Sequence, residues 1–198
     1  TAYVQMALIH SQAKEHKTAA EIYEKALEFA PRSVEILNNL AVIYSDYIPR
    51  YDRAAELARR ARRIAMDSPA VADTMGWVLH KQGDYSQALP LLEYAAKTLS
   101  LEPEVQFHLG MTYYMLGYES SARVALESAA ASEDMPFKQQ AAARLAVLAL
   151  DPSTGSRAVN RAALEKRLAE QPGDVIALSR LATILEKEGS YTQAVEKH

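Results

Sequence analysis

Cysteine is missing from all 198 residues, which excludes disulfide frameworks, thiolate metal sites and thiol nucleophiles. That absence suits cytosol and periplasm equally. Positive charge is not in excess either. The 22 Lys and Arg stand against 25 Asp and Glu, a net charge of −3, well short of the basic footprint of a nucleic-acid binder. No apolar run approaches the roughly 20 residues of a membrane span. The opening "TAYVQMALIH" lacks the basic start, apolar run and cleavage site of a secretion signal. Strand-type alternation is absent throughout. The chain starts without methionine and ends at "YTQAVEKH", a stretch that reads as helix interior, so it is expected to be a piece of a longer protein.

What remains is 49% hydrophobic, ample for a core, and it is periodic. Pro69 and Pro103, Gly76 and Gly110, Gly83 and Gly117, and Ala88 and Ala122 are all 34 residues apart. The frame extends outward from Ala7 to Ala41 at 34, and from Ala41 to Gly76 at 35. Further on, Ala146 and Ala182 are 36 apart, with Gly189 closing the last copy. A period in this range marks a repeat array. Within it, "YDRAAELARRARRIAM" gathers Ala54, Leu57, Ala58, Ala61, Ile64 and Ala65 on one helical side. Arg59, Arg60, Arg62 and Arg63 take the other. Pro31, Pro69, Pro103 and Pro172 fall between helices, where a missing donor does no damage.

The copies carry a recognisable pattern. The first shows Tyr3, Met6, Ala7 and His10, then Ala19, Tyr23, Ala26 and Pro31; the second shows Leu37, Leu40, Ala41 and Tyr44, then Ala54, Ala58 and Ala61. The third has Met75, Gly76 and Leu79 before Ala88, Leu92 and Ala95. The fourth has Leu109, Gly110 and Tyr113 before Ala122, Leu126 and Ala129. On these residues the chain resembles the tetratricopeptide repeat (TPR) family. A fifth copy fits less well, with Leu145, Ala146, Ala149, "DPSTGS", Leu164 and Pro172, and with Asn160 and Arg167 where small residues are expected. A sixth starts at Leu178, Leu181 and Ala182 and is cut short after Ala194. The phrase "DTMGWVLHKQGDYSQALPLLE" is similar to bacterial TPR proteins of envelope and exopolysaccharide systems, often lipid-anchored.

The resemblance implies an all-α, right-handed α-solenoid superhelix of about 5.5 stacked helix-turn-helix hairpins, forming one domain. Its copies are 1–33, 34–68, 69–102, 103–136, an irregular 137–174 and a truncated 175–198. Each hairpin's apolar face is covered only by its neighbours. Gly76 and Gly110 are then expected at the closest approach of paired helices, and Gly83, Gly117 and Gly189 at left-handed turns.

The resemblance also implies that function sits on the concave face, at first-helix positions flanking the packing residues. Carried onto this chain, those are Asn38 and Asn39, with Val42 and Asp46, in the second copy. The third gives Asp73, Thr74, Trp77, His80 and Lys81; the fourth gives Phe107, His108, Met111, Tyr114 and Met115. Trp77, Phe107, Met111 and Tyr114 are expected to anchor a bound peptide or partner helix. Aromatics at helical spacing equally suit a core, and that alternative stays open. The position before each packing residue is polar in every copy, reading Gln5, Asn39, Thr74, His108, Arg144 and Arg180. Asn39, Thr74, His108, Arg144 and Lys81 are the expected polar contacts, unless this row is merely solvated. The lysine and arginine of the family's carboxylate clamp have no counterpart here.

The arginine run at 59–63 reads either as a docking patch for an acidic partner or as a solvated helix face. His10, His16, His80, His108 and His198 show no metal-ligand spacing, and no phosphate-cradling glycine loop occurs. No nucleophile, base and orienter stand together. The reading is therefore a non-enzymatic protein–protein interaction module. It has no cofactor, no metal, no nucleic-acid partner and no membrane insertion by this segment. A structural spacer or self-assembling segment of a larger TPR protein, forming homo-oligomers, is the alternative.

Overall fold

The computed structural model describes residues 2–132, 137–151 and 157–190. The end of the sixth copy with Ala194 and His198, and most of "DPSTGS", lie outside the described residues. The described chain is all-α, as expected. Its helices are α1 (Ala2–Gln12), α2 (His16–Phe29), α3 (Val34–Val42), α4 (Tyr51–Ile64), α5 (Pro69–Gln82), α6 (Tyr85–Thr98), α7 (Pro103–Met115), α8 (Glu119–Ala130), α9 (Lys138–Ala149), α10 (Arg157–Glu170) and α11 (Val175–Lys187). No described helix is long and apolar enough to cross a membrane.

Contacts divide the chain into two compact units, residues 1–101 and 102–198. In the first, α1 pairs with α2, α3 with α4 and α5 with α6, and α5 also packs on α3 and α4. In the second, α7 pairs with α8, α9 packs on α8, and α10 pairs with α11, which reaches back to α7 and α9. The irregular fifth copy is thus resolved into α9 and α10, which do not close into a tight hairpin.

Helix starts follow the local chemistry. Ser33 and Ser68 accept from the N–H of Ile36 and Val71, both at 3.4 Å. Pro69 and Pro103 occupy the first turns of α5 and α7. Gly83 and Gly117 end α5 and α7 at φ +87° and +76°, a region closed to most side chains.

The glycines inside α5 and α7 answer to packing. A Cβ built on Gly76 lies 2.7 Å from Leu92 Cγ, and one on Gly110 lies 2.8 Å from Leu126 Cγ. The two leucines are fully buried. Glycine's helix penalty of about 1 kcal/mol is offset by this close approach.

The interval of 35 also finds its cause. Twelve residues separate Ala7 from Ala19, Gly76 from Ala88 and Gly110 from Ala122, but thirteen separate Ala41 from Ala54. The extra residue is absorbed in a π-turn over Ile43–Tyr47, where the Ile48 N–H donates to the Ile43 carbonyl at 2.9 Å.

Candidate functional site

Of the twelve expected contact residues, Asn38, Asn39 and Lys81 keep partial access to solvent. The open aromatic wall is corrected. Trp77 is 4% exposed, Met111 5%, and Phe107 and Tyr114 not at all. Asp73, Thr74, His80, His108 and Arg144 are buried with them. The physical reason is that rings of this size each remove roughly 150–250 Å² from water, a larger gain than an open wall allows. Several of their polar groups meet partners that the repeat pattern does not reveal.

In the first unit the hub is Asp46, on the π-turn, whose side chain is 6% exposed. Its Oδ1 accepts from Trp77 Nε1 at 2.8 Å and meets Lys81 Nζ at 3.4 Å, while Oδ2 accepts from the Ser45 hydroxyl at 3.1 Å. Lys81 lies over the Trp77 ring, 4.6 Å from its centroid. The indole also stacks on His80 at 4.6 Å, and His80 meets the Tyr85 ring edge-on at 5.0 Å. The shift of register made by the π-turn aims this carboxylate at the indole. A charge-assisted bond of this kind contributes about 1.5–3 kcal/mol, so the arrangement fixes Trp77 in place.

Asn39 does similar work, donating from Nδ2 to the Tyr23 hydroxyl at 3.1 Å. The Tyr44 hydroxyl donates to Glu24 at 3.1 Å, and Arg53 bridges Glu24 and Glu56. Asn38 differs, since its Oδ1 is buried and accepts no hydrogen bond.

In the second unit the hub is Asp174, 1% exposed, at the N-cap of α11. It accepts from the Ala177 N–H at 3.1 Å and from the Tyr114 hydroxyl at 2.7 Å, and Arg167 Nε meets it at 2.8 Å. Burial, and then the Asp174 charge, push the Tyr114 phenol far above its usual range. Arg144 caps the Tyr114 ring at 5.2 Å and donates to Gln171 Oε1 at 2.5 Å, which Arg167 also reaches. Phe107 stacks on Phe137 at 4.8 Å. Arg180 donates to the Val147 carbonyl at 2.6 Å, to the Leu150 carbonyl, and to Glu119 at 2.6 Å. In Asn39, Arg144 and Arg180 the polar row therefore joins elements of the chain to one another. A buried polar group without such a partner costs free energy.

Sequence reasoning missed Asp174, Arg167 and Gln171. One signal was present: Arg167 occupies a place where the repeat wants a small residue. No group of three or more His, Cys, Asp or Glu side chains able to hold a metal ion occurs among the described residues.

Comparison with known proteins follows the same lines. Family models described as tetratricopeptide repeat match residues 1–33 and 74–136. The TPR repeat-containing protein PA4667 of Pseudomonas aeruginosa is 35% identical over 91 residues. That stretch is 44% of this chain but 15% of the relative's length. Among solved structures, TTC0263 of Thermus thermophilus superposes with a TM-score of 0.62 at 22% identity, covering 93% of this chain and 97% of its own. YrrB superposes at 0.55 and 20% identity, covering 98% and 89%.

Proposed function

Because the chain is built of tetratricopeptide repeats, we propose that it is a non-enzymatic protein–protein interaction module holding a peptide or partner helix against the first helices of its hairpins. YrrB, which shares the fold, is described as a TPR protein with an unusual peptide-binding site. The observation that carries the reading here is Asn38, a partly exposed residue on α3 whose side-chain amide makes no hydrogen bond among the described residues. A partner's backbone carbonyl accepts from its Nδ2, the amide atom that solvent reaches. Asn39 on α3 and Lys81 on α5, both partly accessible, are the further polar contacts. Trp77 and Asp46 form the rigid bed beneath. In the second unit Phe107, Met111, Tyr114 and Arg144 hold α7 in place for the same purpose.

The test begins with peptides selected from a random display library on the immobilised chain. Their affinities are then measured by fluorescence anisotropy. Asn38→Ala and Lys81→Ala are each expected to weaken binding about tenfold, with the helical signal unchanged. Selected peptides indifferent to both substitutions would overturn the reading.

A second reading, self-association of the segment, draws on one observation. Tyr3, Met6 and Ile9 on α1, with Phe29 on α2, leave an exposed apolar patch in which Tyr3 and Phe29 stack at 6.0 Å. Sedimentation velocity across concentrations separates the two, because Ile9→Glu restores a monomer only if this patch drives assembly.

A further inference from the structure

A different surface of the first unit carries an inference independent of that reading. Between α4 and α6, over α5, runs a groove of about 640 Å³. Met75, Leu79, Pro90 and Leu91 supply an apolar floor, and Arg59, Arg62 and Arg63 line one wall. The other two α4 arginines are engaged, Arg53 by Glu24 and Glu56 and Arg60 by Glu56. Among the described residues no carboxylate pairs with Arg59, Arg62 or Arg63. Arg62 lies over the Tyr94 ring at 5.7 Å, and its buried Nη1 has no acceptor.

The floor has its own irregularity. Pro90 stands inside α6, past the first turn, and has no N–H to give the Ser86 carbonyl one turn earlier. Ser86 lines the same groove. The groove thus offers three cations, one carbonyl without its helical donor, and a greasy base. None of this belongs to the repeat. In α2, 35 residues earlier, the arginine positions hold Glu24, Leu27 and Glu28, and in α6, 34 residues later, Glu93, Ala96 and Lys97, while Val124 stands in register with Pro90.

We propose that this groove docks an acidic peptide segment of a partner protein. Its carboxylates meet Arg59, Arg62 and Arg63 in bidentate pairs, and one large apolar side chain rests on Met75, Leu79 and Leu91. A backbone N–H of the segment reaches the Ser86 carbonyl. That last feature favours a peptide over a phosphodiester or a lipid headgroup, neither of which brings a regular supply of amide donors.

The probe is fluorescein-labelled Glu-Asp-Glu-Phe-Glu-Asp-Glu, titrated with the intact chain and read by anisotropy. Saturable binding is expected, weakening as salt is raised. The double variant Arg59→Ala, Arg63→Ala is expected to lose about tenfold or more in affinity, as is Leu91→Asp. Arg59 and Arg63 are exposed, so circular dichroism is expected to find the fold intact. Asn38→Ala is expected to leave this binding unchanged, which separates failure here from failure of the first-helix reading. No saturation by about 1 mM would overturn the proposal. So would equal affinity for a probe with lysine at every acidic position. Arginine-dependent cosedimentation with phosphatidylserine vesicles would assign the wall to a membrane surface instead.

Discussion

Replacing Gly76 by alanine sets two effects of known size against each other. Alanine gains about 1 kcal/mol over glycine inside a helix. The added Cβ lies 2.7 Å from Leu92 Cγ, 2.9 Å from Cδ2 and 3.2 Å from the Ala88 carbonyl oxygen. The first atom is the branch point of a fully buried side chain, so no free end swings away. Overpacking of this kind costs about 1–3 kcal/mol. The net expectation for Gly76→Ala is a loss between roughly 0 and 2 kcal/mol.

That range touches zero, so the decisive measurement is a double-mutant cycle. Leu92→Ala alone is expected to cost about 2–5 kcal/mol as a core truncation. Once the isopropyl group is gone, the two closest contacts of the new methyl go with it and the Ala88 oxygen at 3.2 Å remains. In that background Gly76→Ala should change sign and stabilise by up to about 1 kcal/mol. Urea unfolding followed by the fluorescence of Trp77, the chain's one tryptophan, reports the first unit. Far-ultraviolet dichroism reports all helices. Comparison is made at constant m-value, so that changes in compactness do not enter. Equal effects of Gly76→Ala in both backgrounds would refute the close-approach argument.

Three other outcomes are expected. Asp174→Ala strands Arg167 and the Tyr114 hydroxyl inside the second unit, and a loss of about 3–5 kcal/mol should appear in thermal melts; a loss near zero contradicts the hub. The Tyr114 phenol is held above its usual value of 10, so the unfolded chain releases that proton first. Its contribution is intact below about pH 10 and falls as pH rises from there towards the folded value. The urea midpoint should therefore decline more steeply with alkaline pH in the wild type than in Tyr114→Phe, and parallel declines would contradict this. Pro90→Ala restores a donor to the Ser86 carbonyl at an exposed site, and should stabilise by about 2 kcal/mol once proline's smaller unfolded-state entropy is deducted. A melting point unchanged or lowered would show that the ring itself packs.

The hairpins were legible because each copy repeats its own spacing. Gly76 and Gly110 announced close contact by being unfavourable in a helix, and Gly83 and Gly117 announced turns. Accessibility was not legible. Trp77, Phe107, Met111 and Tyr114 present the same pattern whether they face solvent or protein. What decides between these is a partner far along the chain. The acceptor of Trp77 lies 31 residues earlier and that of Tyr114 lies 60 later. Each sits where the repeat is broken. Asp46 lies within the stretch carrying the extra residue, and Asp174 pairs with the arginine that replaces a small residue. The departures from the pattern held the information that the pattern lacked.

Those departures also explain why the two faces of the first unit differ in kind. Polar groups on the first helices α3 and α5 bond across hairpins, Trp77 and Lys81 to Asp46 of the π-turn and Asn39 to Tyr23 of α2, and each bond ties one hairpin to the next. Their burial is offset inside the fold, so stability and register explain most of them. Around the α4–α6 groove no carboxylate among the described residues compensates the arginines in this way. Three neighbouring guanidinium groups repel each other, a buried Nη1 has no acceptor, and a proline interrupts α6. Each lowers stability, and none is repeated at the equivalent places in adjoining copies. A chain that keeps three unfavourable features on one surface, when lysine, glutamate or alanine serves in the neighbouring copies, is constrained there by something other than folding. An anionic segment seated among those arginines removes the repulsion, and its backbone answers the Ser86 carbonyl.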